Sequence, residues 1–445
     1  METRLFSANY ETIMKNHAQI LYRTALALSP FIFGACTDHD PEVIDQKSTI
    51  SIENVLDSRP LVESGTFQGT GTPPVILPGQ SVDIKFSAAK GEALSFATMY
   101  GWSNDLFFAP VNPGILVYDG AGMPIEGDVS SQIKLWDNGT RINQMPGAAV
   151  NHPGTADPKN ITEVKGTDAQ GNSYLAASAL MQATLKYDGN SYFTLTLKNT
   201  SGGTANETPF SPGVWSISYI VGGNLLSPSP LYSEGMPTAN GLTSIAELGE
   251  NMPLSTYIKT KTGIFTPLSP ILVVVYNGIE NPIFKVGEND REEGLKRLAQ
   301  QGNATDLAAF LKTKPGVKSV YVLAAPSTTV LLPIINGAPG SSVSQELSIG
   351  SGDRLAIATM YGFSNDWFFT SMDNGVDATQ KGDISSSIKL YDNGTALDQF
   401  PGAGITQFNL EGTPLAESKP ITPVPNPNPY TTLPSIVNFI KVTIK

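Results

Sequence analysis

An all-β chain folded into antiparallel sandwiches is what this sequence predicts, and three observations carry the prediction. Its 445 residues include 42 glycines and 33 prolines and only 15% are charged, which describes many turns joining short strands. Apolar and polar residues alternate with period two in short runs bounded by Gly, Pro, Asn and Asp, as in strands with one buried face. The chain also repeats itself: Lys90 to Phe108 reads KGEALSFATMYGWSNDLFF, and Ser351 to Phe369 reads SGDRLAIATMYGFSNDWFF. Downstream, GDVSSQIKLWDNGTRINQMPGA from Gly127 matches GDISSSIKLYDNGTALDQFPGA from Gly382. Two blocks matched in order and spacing define a duplicated module, so any chemistry is to be sought where the copies agree.

The N-terminus comes first. Lys15 and Arg23 precede an apolar run from Ala25 to Phe33, followed by Gly34, Ala35 and Cys36, the single cysteine of the chain. The run is too short to span a bilayer but suits a secretory signal. Phe-Gly-Ala-Cys resembles the lipobox of bacterial lipoproteins, which implies residues 1–36 as a signal and Cys36 as the lipidated first residue of the mature chain. A plain cleaved signal, or a buried strand with an incidental Cys, are the alternatives, and Met14 is a second candidate start. Residues 37–48 open on the polar, acidic TDHDPEVIDQK and read as a surface tether. With one cysteine, no disulfide can staple the mature chain.

The expected strands follow in order: Thr49 to Val55, Val82 to Phe86, Ala93 to Met99, Ser131 to Trp136, Met181 to Tyr187, Tyr192 to Leu197, Val214 to Tyr219, Ile271 to Tyr276, Val317 to Leu323, Arg354 to Met360, Ser386 to Tyr391 and Val437 to Ile444. Helical periodicity is confined to the region between the copies and is itself doubled. TPFSPGVWSISY from Thr208 leads to an apolar stripe of Leu242, Ile245, Ala246 and Leu248, while TPLSPILVVVY from Thr266 leads to Leu295, Leu298, Leu307 and Phe310. Gly249 and Gly302 are the stop signals. SALMQATLKYD echoes the terminal SIVNFIKVTIK, which places a boundary after Tyr187: a short copy at 49–188 and an extended copy, with helical insertions, at 189–445.

Composition removes whole classes of function. The formal net charge is −12 and no Lys/Arg cluster exists, so a phosphate backbone would be repelled and nucleic acid is not an expected partner. His17 lies in the signal and His39 in the tether, leaving His152 alone in the body. Neither a histidine zinc site nor a Ser/His/Asp arrangement can then be built twice, and no Walker or dinucleotide motif is present.

The second copy carries TPLSP before a strand, EGLKRLAQQGN on a helix, GDRLAIATM, SNDWFF at a turn, then YDNGT and PGAG. These ordered pieces resemble the spondin N-terminal domain family, of the F-spondin and mindin type, with its bacterial relatives. The first copy keeps the strand, SND and WDNGT pieces. The resemblance implies two C2-like antiparallel β-sandwiches with calcium in their loops, acting in extracellular adhesion or recognition rather than catalysis. Two positions depart from the family strings: the Ala after Asp is Asn138 and Asn393, and the position after Gly-Thr is Arg141 in one copy and Ala396 in the other.

The residues can be read for calcium on their own terms, since a hard cation takes several oxygens at about 2.3–2.6 Å and Asp/Asn turns supply them. In the second copy the candidates are Asn365, Asp366, Asp392 and Asp398; in the first, Asn104, Asp105, Asp137 and Asn143. Three carboxylates against two and an amide predict two sites of unequal affinity, the second tighter. The same strings also suit metal-free turns held by local hydrogen bonds. Glu247 reads as a solvated helix carboxylate, with Gln300 as its counterpart. Trp102, Phe107, Phe108, Phe363, Trp367, Phe368 and Phe369 read mostly as core, with one or two left for display, and Leu106 in place of Trp367 as a difference in grip. The expected function is a calcium-stabilised binding or adhesion protein anchored at a bacterial surface or outer membrane by lipid alone, with an extracellular protein or glycan as ligand. A metal-free structural component and a glycan hydrolase using paired carboxylates are the alternatives.

Overall fold

The computed structural model describes residues 46–445; Cys36 and the expected signal, with most of the tether, lie outside the described residues. The predicted all-β class holds, and each expected strand is present with ends shifted by a few positions. Sheet pairing groups them into two sandwiches of the same strand order. In the first, Ser81–Ser87, Tyr192–Asn199, Met181–Gly189 and Gly127–Asp128 form one sheet. The other runs Leu61–Phe67, Gly213–Ser218, Ala93–Met99, Leu106–Pro110, Ile133–Asp137 and Thr162–Glu163. In the second sandwich, Ser342–Ile349, Gln46–Asn54, Ile440–Ile444 and Gly382–Asp383 face a sheet of Val317–Leu323, Ile271–Asn277, Asp353–Met360, Trp367–Ser371, Ile388–Asp392 and Thr422–Pro423.

This pairing corrects the expected division at 188/189. That point falls inside a hairpin, because Met181–Gly189 pairs antiparallel with Tyr192–Asn199. The segment expected to open the first copy belongs instead to the second: Gln46–Asn54 is a central strand there, between Ser342–Ile349 and Ile440–Ile444. Gln46, Lys47 and Ser48, read as tether, already pair with Ile349, Ser348 and Leu347. Ile50 and Ile52 on this strand are fully buried, each a contribution of about 1.5–3 kcal/mol. From Gln46 the described chain therefore runs first through the second sandwich, builds the whole of the first and returns. The two crossings lie side by side, where Gly263 N donates to Leu61 O at 3.0 Å and Arg59 N donates to Ile264 O at 3.0 Å.

The covering helix pairs, too, are shared equally rather than inserted in one copy. Leu242–Leu248 and Met252–Lys261 cover the first sandwich, with Leu242, Ile245, Leu254 and Ile258 against Ala97, Met99 and Phe107. Leu295–Gln301 and Thr305–Leu311 cover the second, with Leu295, Leu298 and Leu307 against Val274, Ala356 and Phe368. That cover explains why ALSFATM is buried at every position instead of alternating. Leu248, expected on the apolar stripe, is 55% exposed. Gly302 ends its helix at φ +66°, and a Cβ there would stand 2.8 Å from that of Ser269. Only glycine suits both the left-handed backbone and the close approach.

Four strands of five or more residues were not expected. Leu106–Pro110 and Trp367–Ser371 are buried on both faces, so they show no alternation. Leu61–Phe67 holds Gly65, where a Cβ would meet the Trp215 ring at 2.7 Å. Ser342–Ile349 is mostly exposed at the edge of its sheet. Between the copies, Tyr219, Phe265 and Phe363 form an aromatic cluster with ring centroids 5.7, 5.8 and 5.9 Å apart. No helix among the described residues is long and apolar enough to cross a membrane.

Candidate metal centre

The Ser-Asn-Asp turn in each copy is held by its serine. Ser364 Oγ donates to Tyr361 O at 2.8 Å and accepts from Trp367 N at 3.0 Å; Ser103 does the same with Tyr100 and Leu106 at 2.7 and 3.0 Å. The next residue ties down the following loop: Asn365 Oδ1 accepts from Gln399 N at 3.1 Å and its Nδ2 donates to Thr406 Oγ1 at 2.9 Å. Asn104 binds Gln144 N at 3.0 Å and Asn151 O at 2.7 Å. Asn365 and Asn104, expected as ligands, here tether loops through both amide atoms. An amide offers both donor and acceptor, which suits it to that task.

The aspartates behave differently. Asp366 Oδ2 accepts from Thr395 N at 2.6 Å, Thr395 Oγ1 at 2.9 Å and Ala396 N at 2.9 Å. Its Oδ1 is buried with no hydrogen-bond partner among the described residues. Asp392 ends its strand and accepts from Gly394 N at 2.7 Å, in a tight turn where Gly394 has φ +66°. Asp366, Asp392 and Asp398 each offer an oxygen within 4.8 Å of the others. That span is about twice the 2.3–2.6 Å bond of calcium to oxygen, so one ion between them would reach all three. Asp366 is fully buried, which leaves a sugar ring no approach to its carboxylate.

Three acids this close resist ionisation. Burial first, and then the charges of Asp392 and Asp366, push the Asp398 carboxyl up to about 8. Burial, followed by repulsion from Asp392, raises Asp366, and burial raises Asp392. The group must either hold protons or meet a cation. An unpaired buried oxygen beside two further carboxylates is a donor set that fits a hard divalent ion.

The first copy has the same frame and another solution. Asp105 Oδ2 accepts from Thr140 N at 2.8 Å, Thr140 Oγ1 at 3.0 Å and Arg141 N at 2.9 Å, and Asp137 accepts from Gly139 N at 2.7 Å. At the third corner Asn143 Nδ2 donates to Asp137 Oδ2 at 2.8 Å. An amide donor thus meets one carboxylate oxygen, while Asp105 Oδ1 and Asn143 Oδ1, like Asp366 Oδ1, are buried with no hydrogen-bond partner among the described residues. Burial, then Asp137, raises Asp105 to about 6. Among the described residues the second-copy triad is the one group of three acids with metal-holding spacing, while the first copy offers two carboxylates and an amide.

Sequence reasoning missed the role of Glu247. It is 5% exposed rather than solvated, and its Oε2 accepts from Arg141 Nη2 at 2.8 Å. The second copy makes the same helix-to-turn link with a neutral bond, Gln300 Nε2 to Thr395 O at 3.2 Å and to its Oγ1 at 3.0 Å. The signal was present as a matched departure: Arg141 with Glu247 in one copy, Ala396 with Gln300 in the other. Of the clustered aromatics only Trp102 is half-buried, the others being core. Leu106 and Trp367 are both buried, so they do not make the copies differ in grip. Compared with models of known families, the chain matches none, and a search of curated proteins finds no match either.

Proposed function

We propose that this chain is a calcium-stabilised extracellular binding protein of the spondin N-terminal type, held at a bacterial surface through its N-terminus. The observation that carries the reading is the convergence of Asp366, Asp392 and Asp398 on one point, with Asp366 Oδ1 buried and unpartnered among the described residues. A calcium ion there would join the turn after Tyr361 to the loop after Asp392 and cancel their repulsion. The ion is structural in this account: it fixes loops that no disulfide can fix. The test is thermal melting with and without calcium, in the natural chain and in Asp392→Ala. The melting temperature should rise with calcium in the first and not in the second, by an amount that follows RT ln(1 + [L]/Kd).

One observation favours a second reading, a metal-free scaffold. Asn143 in the first copy shows that a turn of this sequence can be completed by an internal amide. The same melting experiment separates the readings, since a scaffold would melt identically in calcium and in chelator.

A further inference from the structure

Each sandwich has a groove at the same place, where the Ser-Pro strand, the end of the ATMYG strand and the glycine-capped helix meet. In the first copy it is a cavity of about 500 Å³ walled by Met99, Trp102, Pro212 and Leu248, with His152 on its rim and Glu247 among its lining residues. In the second copy it is about 360 Å³, and Met360, Pro270 and Gly302 take the places of Met99, Pro212 and Gly249. What separates the two is a lid made of the chain itself. From Ala403 to Ile421 the second copy runs eighteen positions, and from Ala148 to Ile161 the first runs thirteen. The longer loop forms the turn Phe408–Leu410, whose Phe408 and Asn409 line the second groove. Asn409 Nδ2 donates to Gly362 O inside it.

The first groove shares the methionine, proline and glycine walls, adds Trp102 and Leu248 where the second has Gln301 and no aromatic from its Ser-Asn-Asp turn, and has no such covering turn among the described residues. Trp102 is half-buried and Leu248 is 55% exposed, so apolar surface stays open to solvent. Glu247 is 5% exposed, and its Oε1 accepts no hydrogen bond among the described residues. A buried acceptor of that kind costs about 1–3 kcal/mol until a donor arrives. The other oxygen of Glu247, Oε2, is already paired with Arg141 Nη2 at 2.8 Å.

We propose that the open groove of the first copy binds an aromatic side chain flanked by an amide donor, presented on an exposed turn of a protein partner. The second copy's own Phe408–Asn409 turn is the internal likeness of that ligand. The aromatic ring lies against Trp102 and Leu248, and the amide reaches Gly101 O, the counterpart of the Gly362 O that Asn409 meets in the other copy. This gives the binding half of the proposed function a place, apart from the acidic triad, and does not depend on calcium.

The test uses the full chain and a synthetic acetylated, amidated peptide of residues 405–412, ITQFNLEG, followed by saturation-transfer NMR in calcium and in chelator. Transfer to the phenylalanine ring is expected in both conditions. It should fall at least tenfold in Trp102→Ala and in Leu248→Arg, and vanish for the peptide with Phe replaced by Ala. Leu248 is exposed, so its variant remains a fair test if Trp102→Ala unfolds. Equal transfer to the natural chain and to Leu248→Arg, no transfer at millimolar peptide, or transfer to maltotriose in place of the peptide would overturn the proposal. Transfer lost only in chelator would overturn its independence from calcium.

Discussion

Asn54 and Asn199 occupy the same position in two different sandwiches. Asn54 Nδ2 donates to Thr266 O at 3.1 Å and Leu331 O at 2.9 Å; Asn199 Nδ2 donates to Thr208 O at 2.7 Å and Ile76 O at 2.9 Å. Each amide closes the end of an inner strand onto the Thr-Pro segment that enters the opposite sheet. The equivalence fixes the N-terminal strand as the counterpart of Tyr192–Asn199 and the first sandwich as an insertion within the second.

Removing either amide should therefore cost alike. Asn54→Ala leaves two carbonyls without this buried donor, a loss of about 1–3 kcal/mol. Urea unfolding should show it as a lowered midpoint, with Asn199→Ala lowered similarly. A change of a few tenths of a kcal/mol in Asn54→Ala alone would mean that the N-terminal strand does not complete the second sandwich.

The acidic triad predicts an unusual pH dependence for the metal-free chain. Unfolded, its carboxyls lose protons near 3.8; folded, Asp398 keeps its proton to about 8 and Asp366 is also raised. Between these values the folded state binds more protons, so stability declines as pH rises from about 4 to 8 and does not recover above that. Calcium competes with the same protons, so the melting temperature gained on adding it should be larger at pH 8 than at pH 5. Melts in chelator and in calcium across that range check both statements. Metal-free stability that climbs from pH 5 to 8 would contradict them.

Copy-to-copy exchange of one residue should move the site. Asp398→Asn gives the second copy the first copy's third corner and should abolish calcium binding while stabilising the chain in chelator at pH 8. Asn143→Asp removes the bond to Asp137 and adds a third carboxylate, so it should destabilise the metal-free chain and create a second calcium equivalent. Isothermal titration of both variants measures the exchange. Unchanged stoichiometry in both would show that these corners do not decide cation binding.

The Arg141–Glu247 pair should be replaceable by the other copy's chemistry. Arg141→Ala strands a buried carboxylate and should lower stability by about 1–3 kcal/mol. Adding Glu247→Gln should recover most of the loss, since Gln300 makes the equivalent link to Thr395. Melting of the single and double variants reads the recovery; a double variant weaker than Arg141→Ala would contradict the equivalence.

Much of this was legible because duplicated strings sit at equivalent positions. SALMQATLKYD and SIVNFIKVTIK do supply matching strands, Met181–Gly189 and Ile440–Ile444. Their partners were not legible. Alternation tells which face of Gln46–Asn54 is buried, and says nothing of which sheet receives it. At the site, Asp366, Asp392 and Asp398 come together as their turn spacing implied, while Asn365 and Asn104 went to tethering because an amide serves loops as readily as ions. Glu247 was misjudged because a helix carboxylate looks solvated until its partner, Arg141, is known to fold over it.

Calcium stoichiometry of the purified chain tests the central claim most directly. Equilibrium dialysis followed by elemental analysis should find one calcium per chain, and none in a variant carrying Asp366→Asn, Asp392→Asn and Asp398→Asn. No bound calcium in the natural chain, or one equivalent retained by the triple variant, would contradict the account.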